Sequence, residues 1–151
     1  MRVLRKHFSG ATALLLISVP TFPLHASGEP KIVAPANAET NAIAAKFFGL
    51  MKTGGAQPAL KYLGSLSILY ASKQDQIELM ATQTDGAIKI YGPVVSWELV
   101  ESETLGGNVR REFYTVQHAN NVVRWRLFFT RSPKGWSVAS FNFDDQPQTW
   151  F

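Results

Sequence analysis

The sequence predicts an α+β domain: three N-terminal helices packed on one face of a four-stranded antiparallel sheet. Two observations carry that expectation. Apolar residues recur at helical spacing up to Tyr91, and from Val94 the period changes to two. Three turn signals then divide the remainder into four strands whose registers agree on a single apolar face.

Asn37 is placed to cap a first helix running to about Thr53, and Gly54-Gly55 stops it. Ala38, Ile43, Phe47 and Leu50 form its stripe. Pro58 suits the first position of a second helix carrying Leu60, Leu63 and Leu66. Ser72 is the expected cap of a third, with Asp75 in its first turn. Ile77, Met80, Thr84, Ala87, Ile88 and Tyr91 mark its buried side, and Gly92-Pro93 ends it. Asp85-Gly86 is where a turn would split that helix.

The expected strands are 94–104, 109–119, 122–131 and 136–145. Gly106-Gly107 and Asn120-Asn121 suit two-residue hairpins; Ser132-Pro133-Lys134-Gly135 suits a three-residue loop. The first hairpin then pairs Leu99 with Tyr114, Trp97 with Val116 and Val95 with His118. The second pairs Val116 with Trp125, Tyr114 with Leu127 and His118 with Val123. The third pairs Leu127 with Phe141 and Trp125 with Phe143. Together they direct Trp97, Leu99, Tyr114, Val116, Val123, Trp125, Leu127, Phe129, Phe141 and Phe143 to one face, with Val95, and the helices must cover it. The opposite face is polar, with Glu98, Arg111, Arg124, Arg126 and Val138 around a central apolar row of Val100, Phe113 and Phe128.

The chain opens on an address. Arg2, Arg5 and Lys6 form a basic region, Ala11 to Val19 an apolar one, and Leu24-His25-Ala26 offers a cleavage site, so residues 1–26 read as a secretory signal peptide. Its apolar run ends at Pro20, far short of the roughly 20 residues a membrane span needs. Ala34-Pro35-Ala36 is a second candidate cut. Residues 27–36 form a lead, 37–145 the domain and 146–151 a tail. The expected location is the bacterial periplasm or the exterior, with no membrane span after cleavage. The 151 residues contain no cysteine, which excludes disulfides, thiolate metal sites and a cysteine nucleophile. They contain no Asn-x-Ser/Thr acceptor either. Without the leader the charge balance is 12 basic against 11 acidic residues, which argues against a nucleic-acid partner. The remainder keeps one histidine, His118, so a multi-histidine metal site is excluded and no cofactor is implied.

Three helices followed by a long antiparallel sheet resemble the nuclear transport factor 2-like (NTF2-like, cystatin-like α+β) superfamily, and in particular exported bacterial members. The resemblance runs from about Asn37 to Asp145 and rests on Tyr91-Gly92, Trp97-Glu98-Leu99-Val100, Arg111, Tyr114, Trp125-Arg126-Leu127-Phe128-Phe129, Gly135-Trp136-Ser137-Val138 and Phe141-Asn142-Phe143-Asp144. It implies a curved sheet that forms a cone with the helices around an apolar pocket. Tyr91, Trp97, Tyr114, His118, Trp125 and Phe129 would line that pocket. It also implies sheet-to-sheet dimers, here through Val100, Phe113 and Phe128.

For chemistry the sequence offers Glu101 and Glu112, which the expected register sets opposite each other on the apolar side, beside Phe129. Paired carboxylates there repel, and desolvation lifts one pKa, the condition for a general acid and base. Arg110 and Arg131 are placed to neutralise them at a solvated rim instead. Three functions follow. The first is a non-catalytic exported module that binds a small apolar ligand or a protein partner. The others are a small isomerase or dehydratase with a pocket carboxylate, and a purely structural dimerisation domain.

Overall fold

A computed structural model describes residues 34–150. The signal peptide and the lead up to Val33 lie outside the described residues. The elements are α1 (Ala38–Gly54), α2 (Ala56–Leu66), α3 (Ile68–Ala71), α4 (Gln74–Tyr91), β1 (Val94–Leu105), β2 (Val109–His118), β3 (Val122–Ser132) and β4 (Gly135–Asp144), with a 3-10 turn at Pro147–Thr149. The strands form one antiparallel meander in the order β1-β2-β3-β4.

Asn37 caps α1 as expected: its side chain accepts from the backbone N–H of Glu39 and of Thr40 at 3.0 and 3.1 Å. The second helix starts two residues ahead of Pro58. Ser72 is not the cap of α4, which follows Lys73. The turn expected at Asp85-Gly86 does not form. Asp85 Oδ1 instead accepts the Ala56 N–H at 2.7 Å, tying the middle of α4 to the start of α2. A short helix, α3, joins α2 to α4 where the sequence showed no signal.

The helices cover one face of the sheet. Phe47 and Phe48 of α1 meet Trp125 at 5.4 and 6.0 Å between ring centroids, and Phe48 meets Tyr114 at 5.3 Å. Val116, Val123, Leu127, Phe129 and Val138 complete the buried layer.

Each hairpin departs from its expected geometry, in a way that bears on the site. The loop after β1 is Gly106-Gly107-Asn108, one residue longer than expected, and a bulge at Val100 absorbs the extra residue. Leu99 and Trp97 therefore keep their expected partners, but Glu101 pairs with Phe113 and Ser102 with Glu112. A second bulge sets Val94, not Val95, against His118 and leaves Val95 49% exposed. Between β2 and β3 the turn falls on Ala119-Asn120, so Tyr114 pairs with Trp125 and Val116 with Val123. The register moves by two residues and every side chain keeps its face. The last loop is shortened to Pro133-Lys134, and a bulge at Ala139 restores the pairs Leu127–Phe141 and Trp125–Phe143. Val138, expected on the outer face, is thereby turned into the core opposite Phe129.

Candidate functional site

The alternation of β2 sends Arg110, Glu112, Tyr114, Val116 and His118 to the covered face, and all five are buried. Glu112 is 0% exposed and sits at the first turn of α1. Its Oε1 accepts from Arg110 Nε and from Thr40 Oγ1, each at 2.6 Å, and its Oε2 accepts from Tyr114 Oη at 2.7 Å. Arg110 also donates to the Pro35 carbonyl. Burial, reinforced by the bond to Glu112, raises the Tyr114 phenol far above its usual range, against a weaker opposing pull from Arg110. Tyr114 is thus a fixed hydrogen-bond donor. Ser102 Oγ, across the ladder from Glu112, is buried without a hydrogen-bond partner among the described residues.

This arrangement corrects the expected carboxylate pair. Glu101 shares the outer face with Phe113, because the Val100 bulge inverts the strand beyond it. Glu112 is the one carboxylate on the inner side of that hairpin among the described residues, and its partner Arg110 is buried rather than at a rim. Arg131, the second expected neutraliser, is exposed and lies over the Trp136 ring at 5.9 Å.

His118 is 2% exposed. Its Nδ1 lies 2.8 Å from the Gly92 carbonyl, which can only accept, so Nδ1 carries a proton. The neighbouring turn is held at the same junction. Ala119 N–H donates to the Pro93 carbonyl at 3.0 Å and Asn120 N–H to the Tyr91 carbonyl at 2.8 Å. Gly92 has φ +83°, and a Cβ there would stand 2.8 Å from Ala119 Cβ. The imidazole therefore helps pin the β2–β3 hairpin to the end of α4.

Of the six expected pocket residues, Tyr91, His118 and Trp125 meet at one cavity between α4 and the sheet, together with Thr84, Val123 and Phe143. It encloses about 10 Å³, room for about one water. Trp97, Tyr114 and Phe129 do not line it. Trp97 packs on Phe48 and Phe129 is fully buried in the core. Tyr91 donates to Asp145 Oδ2 at 2.8 Å; burial, with the Asp145 bond and charge, raises its phenol pKa.

No protein-family model matches this chain, and no curated protein matches it. Among solved structures, a "Putative NTF2-like transpeptidase" from Campylobacter jejuni superposes with a TM-score of 0.50 at 16% identity. The match covers 67% of this chain and 97% of that one. The fold is NTF2-like. At this identity the likeness extends to the fold and to no side-chain role.

The outer face of the NTF2-like sheet carries the other group of functional side chains. Phe113 is flanked by the guanidinium groups of Arg111, Arg124 and Arg126, at 5.2, 5.7 and 5.4 Å from its centroid. Arg111 pairs with Glu103, and Arg124 with Asp144 at 3.1 Å. Trp150, in the expected tail, folds back over Arg124 at 5.4 Å and donates its indole N–H to Asp144. Partial burial works to raise the Asp144 pKa, but the Trp150 and Arg124 bonds outweigh it and hold it below its ordinary value. A groove of about 410 Å³ opens beside these residues, lined by Ser96, Trp97, Glu98, Thr115, Gln117 and Val122.

Two features of these sites escaped the sequence reading. Thr40 as a Glu112 partner needs the packing of α1, which no local pattern shows. The Arg110-x-Glu112-x-Tyr114 spacing on one strand face was a legible signal, obscured by the expected pairing of Glu112 with Glu101.

Proposed function

We propose that this NTF2-like domain is an exported, non-catalytic association module whose outer sheet face binds a second copy of the chain. The observation that carries this reading is a contrast between the two faces. On the inner side, Glu112 spends its carboxylate on three protein donors, His118 is tied to a backbone carbonyl, and the cavity beside it holds about 10 Å³. A drug-sized ligand occupies a pocket of roughly 300 Å³ or more. On the outer side, Val100 is 52% exposed and lies on the same face as Phe113 and Phe128. The shifted register sets Arg126 beside Phe113 and Arg111 beside Phe128, so the three form a staggered apolar patch among arginines, and such a patch favours a partner that buries it.

The name of the Campylobacter protein raises acyl transfer as a second reading. That chemistry needs a nucleophile its substrate can reach. Ser102, the hydroxyl set against Glu112, is 4% exposed, which weighs against it. Isomerase or dehydratase chemistry on Glu112 meets the same obstacle, since a base must lie within hydrogen-bond reach of the substrate proton.

Sedimentation of the full chain tests the association reading. A dimer is expected, and Phe128→Glu is expected to convert it to monomer by placing a carboxylate in the apolar patch. A monomeric wild-type chain would overturn the reading.

A further inference from the structure

We infer that the groove beside Glu98 is half of a site, completed by the Arg126 guanidinium of a second copy. The inference rests on the association reading and names the contact that sets its register. The outer face carries acids and arginines in near balance, and its edges are internally neutralised by Glu103–Arg111 and Arg124–Asp144. Glu101, on the same face, is engaged as well, and two opposite charges are left without an ion-pair partner among the described residues. Glu98 is exposed, and Arg126 lies beside the Phe113 ring with its Nε buried and without a hydrogen-bond partner among the described residues. They also lie too far apart to neutralise each other: Glu98 is on β1 opposite Thr115, and Arg126 is on β3 opposite Phe113, with β2 between them. Two strand spacings and two residues of rise separate them by roughly 12 Å.

A two-fold axis resolves both charges at once. When two sheets pack face to face about an axis in the plane between them, residue i meets residue j of the partner and j meets i. An axis perpendicular to the Glu98–Arg126 line, through its midpoint, brings each Glu98 to the partner's Arg126. That midpoint falls over β2 between Phe113 and Thr115, so the same axis stacks Phe113 near its own copy. The apolar centre and both charge contacts thus follow from one operation. The groove supplies the remaining acceptors for an incoming guanidinium. Gln117 spends its amide N–H₂ on the His118 carbonyl at 2.8 Å and keeps its amide oxygen, and the Ser96 and Thr115 hydroxyls line the same groove. Four strands of about ten residues offer a face of roughly 20 by 33 Å, comparable to the ~800 Å² per partner that stable interfaces bury.

Charge reversal tests the pairing in the full chain. Glu98→Arg alone sets two arginines against each other at both contacts, and Arg126→Glu alone sets two glutamates. Each is expected to weaken self-association at least about tenfold by sedimentation equilibrium. An equimolar mixture of the two variants restores complementary charges at both contacts and is expected to form a heterodimer of wild-type affinity. Circular dichroism of each variant reports its fold, and because the mixture regains association without further mutation, rescue cannot arise from misfolding. A wild-type dimer that neither reversal weakens, or weakened variants that the mixture fails to rescue, would overturn the Glu98–Arg126 pairing while leaving the association reading intact. A monomeric wild type would overturn the association reading, and the pairing with it.

Discussion

Tyr114 Oη donates to Glu112 Oε2 at 2.7 Å, two residues along the same strand and beneath the first turn of α1. That bond completes a set of three donors on one fully buried carboxylate, the others being Arg110 and Thr40. A buried charge without such partners would cost several kcal/mol, about as much as a small domain can lose. The cluster also joins three parts of the chain, because Arg110 reaches the Pro35 carbonyl and Thr40 belongs to α1. Its chemistry is spent on holding the segment before α1, and α1 itself, to the sheet.

Glu112→Gln keeps the shape and removes the charge that Arg110 faces. Breaking one side of a buried pair strands the other, and the expected loss is about 3–5 kcal/mol in urea unfolding. A loss below about 1 kcal/mol would mean that Arg110 swings out to water and that the cluster does not bind α1 to the sheet.

Tyr114 sets a limit at alkaline pH. Its folded pKa is raised above the ordinary value of 10.0, so the folded state keeps a proton that the unfolded chain releases. The stabilisation is fully present below pH 10 and is lost as pH rises beyond it, by up to about 1.4 kcal/mol per pH unit for this one group. Tyr62, Tyr70 and Tyr91 shift the same way and add to the slope. Tyr114→Phe should be less stable at pH 8 yet decline less steeply between pH 10 and 11. Equal slopes in the two proteins would show that Tyr114 does not contribute.

Gly92→Ala should cost about 1–3 kcal/mol, because alanine is strained at φ +83° and its Cβ meets Ala119 at 2.8 Å. The double variant with Ala119→Gly removes the contact and leaves the strain, so it should recover part of the loss. No recovery would assign the whole cost to the backbone.

The way these sites were legible follows from the parity of the strands. A two-residue turn moved by one residue, as at Ala119-Asn120, shifts partners by two and keeps every face. A loop whose length changes by one inverts the faces, unless a bulge absorbs the difference, as Val100 and Ala139 do. The core set of Trp97, Tyr114, Trp125, Leu127 and Phe141 therefore stands on its expected face despite three misplaced turns. Residues between a turn and its bulge were lost, which is why Glu101 left the inner face and Val138 entered it. Valine and alanine carry no local mark of a bulge, unlike glycine at a left-handed position, so those inversions could not be read in advance. Asp85 is a parallel case: its apparent break signal is a cap for another helix, a relationship that exists only after α2 and α4 pack.

The tail gives an acid-sensitive signal. Asp144 accepts from the Trp150 indole N–H and pairs with Arg124, whose guanidinium lies over the Trp150 ring. Its folded pKa lies below the ordinary 3.8, so the contribution of this clamp is present above that value and is lost as pH falls through the lower folded one. The effect on global stability should be small, because the pair is partly open to solvent and salt screens it. The local readout is sharper: the Trp150 indole N–H resonance should move in acid with a midpoint below 3.8. In Asp144→Asn that transition should disappear, because the amide oxygen can still accept the indole N–H but does not titrate. A transition that persists in the variant would mean that a titrating group other than Asp144 governs it, and that the clamp does not set the acid sensitivity of the tail.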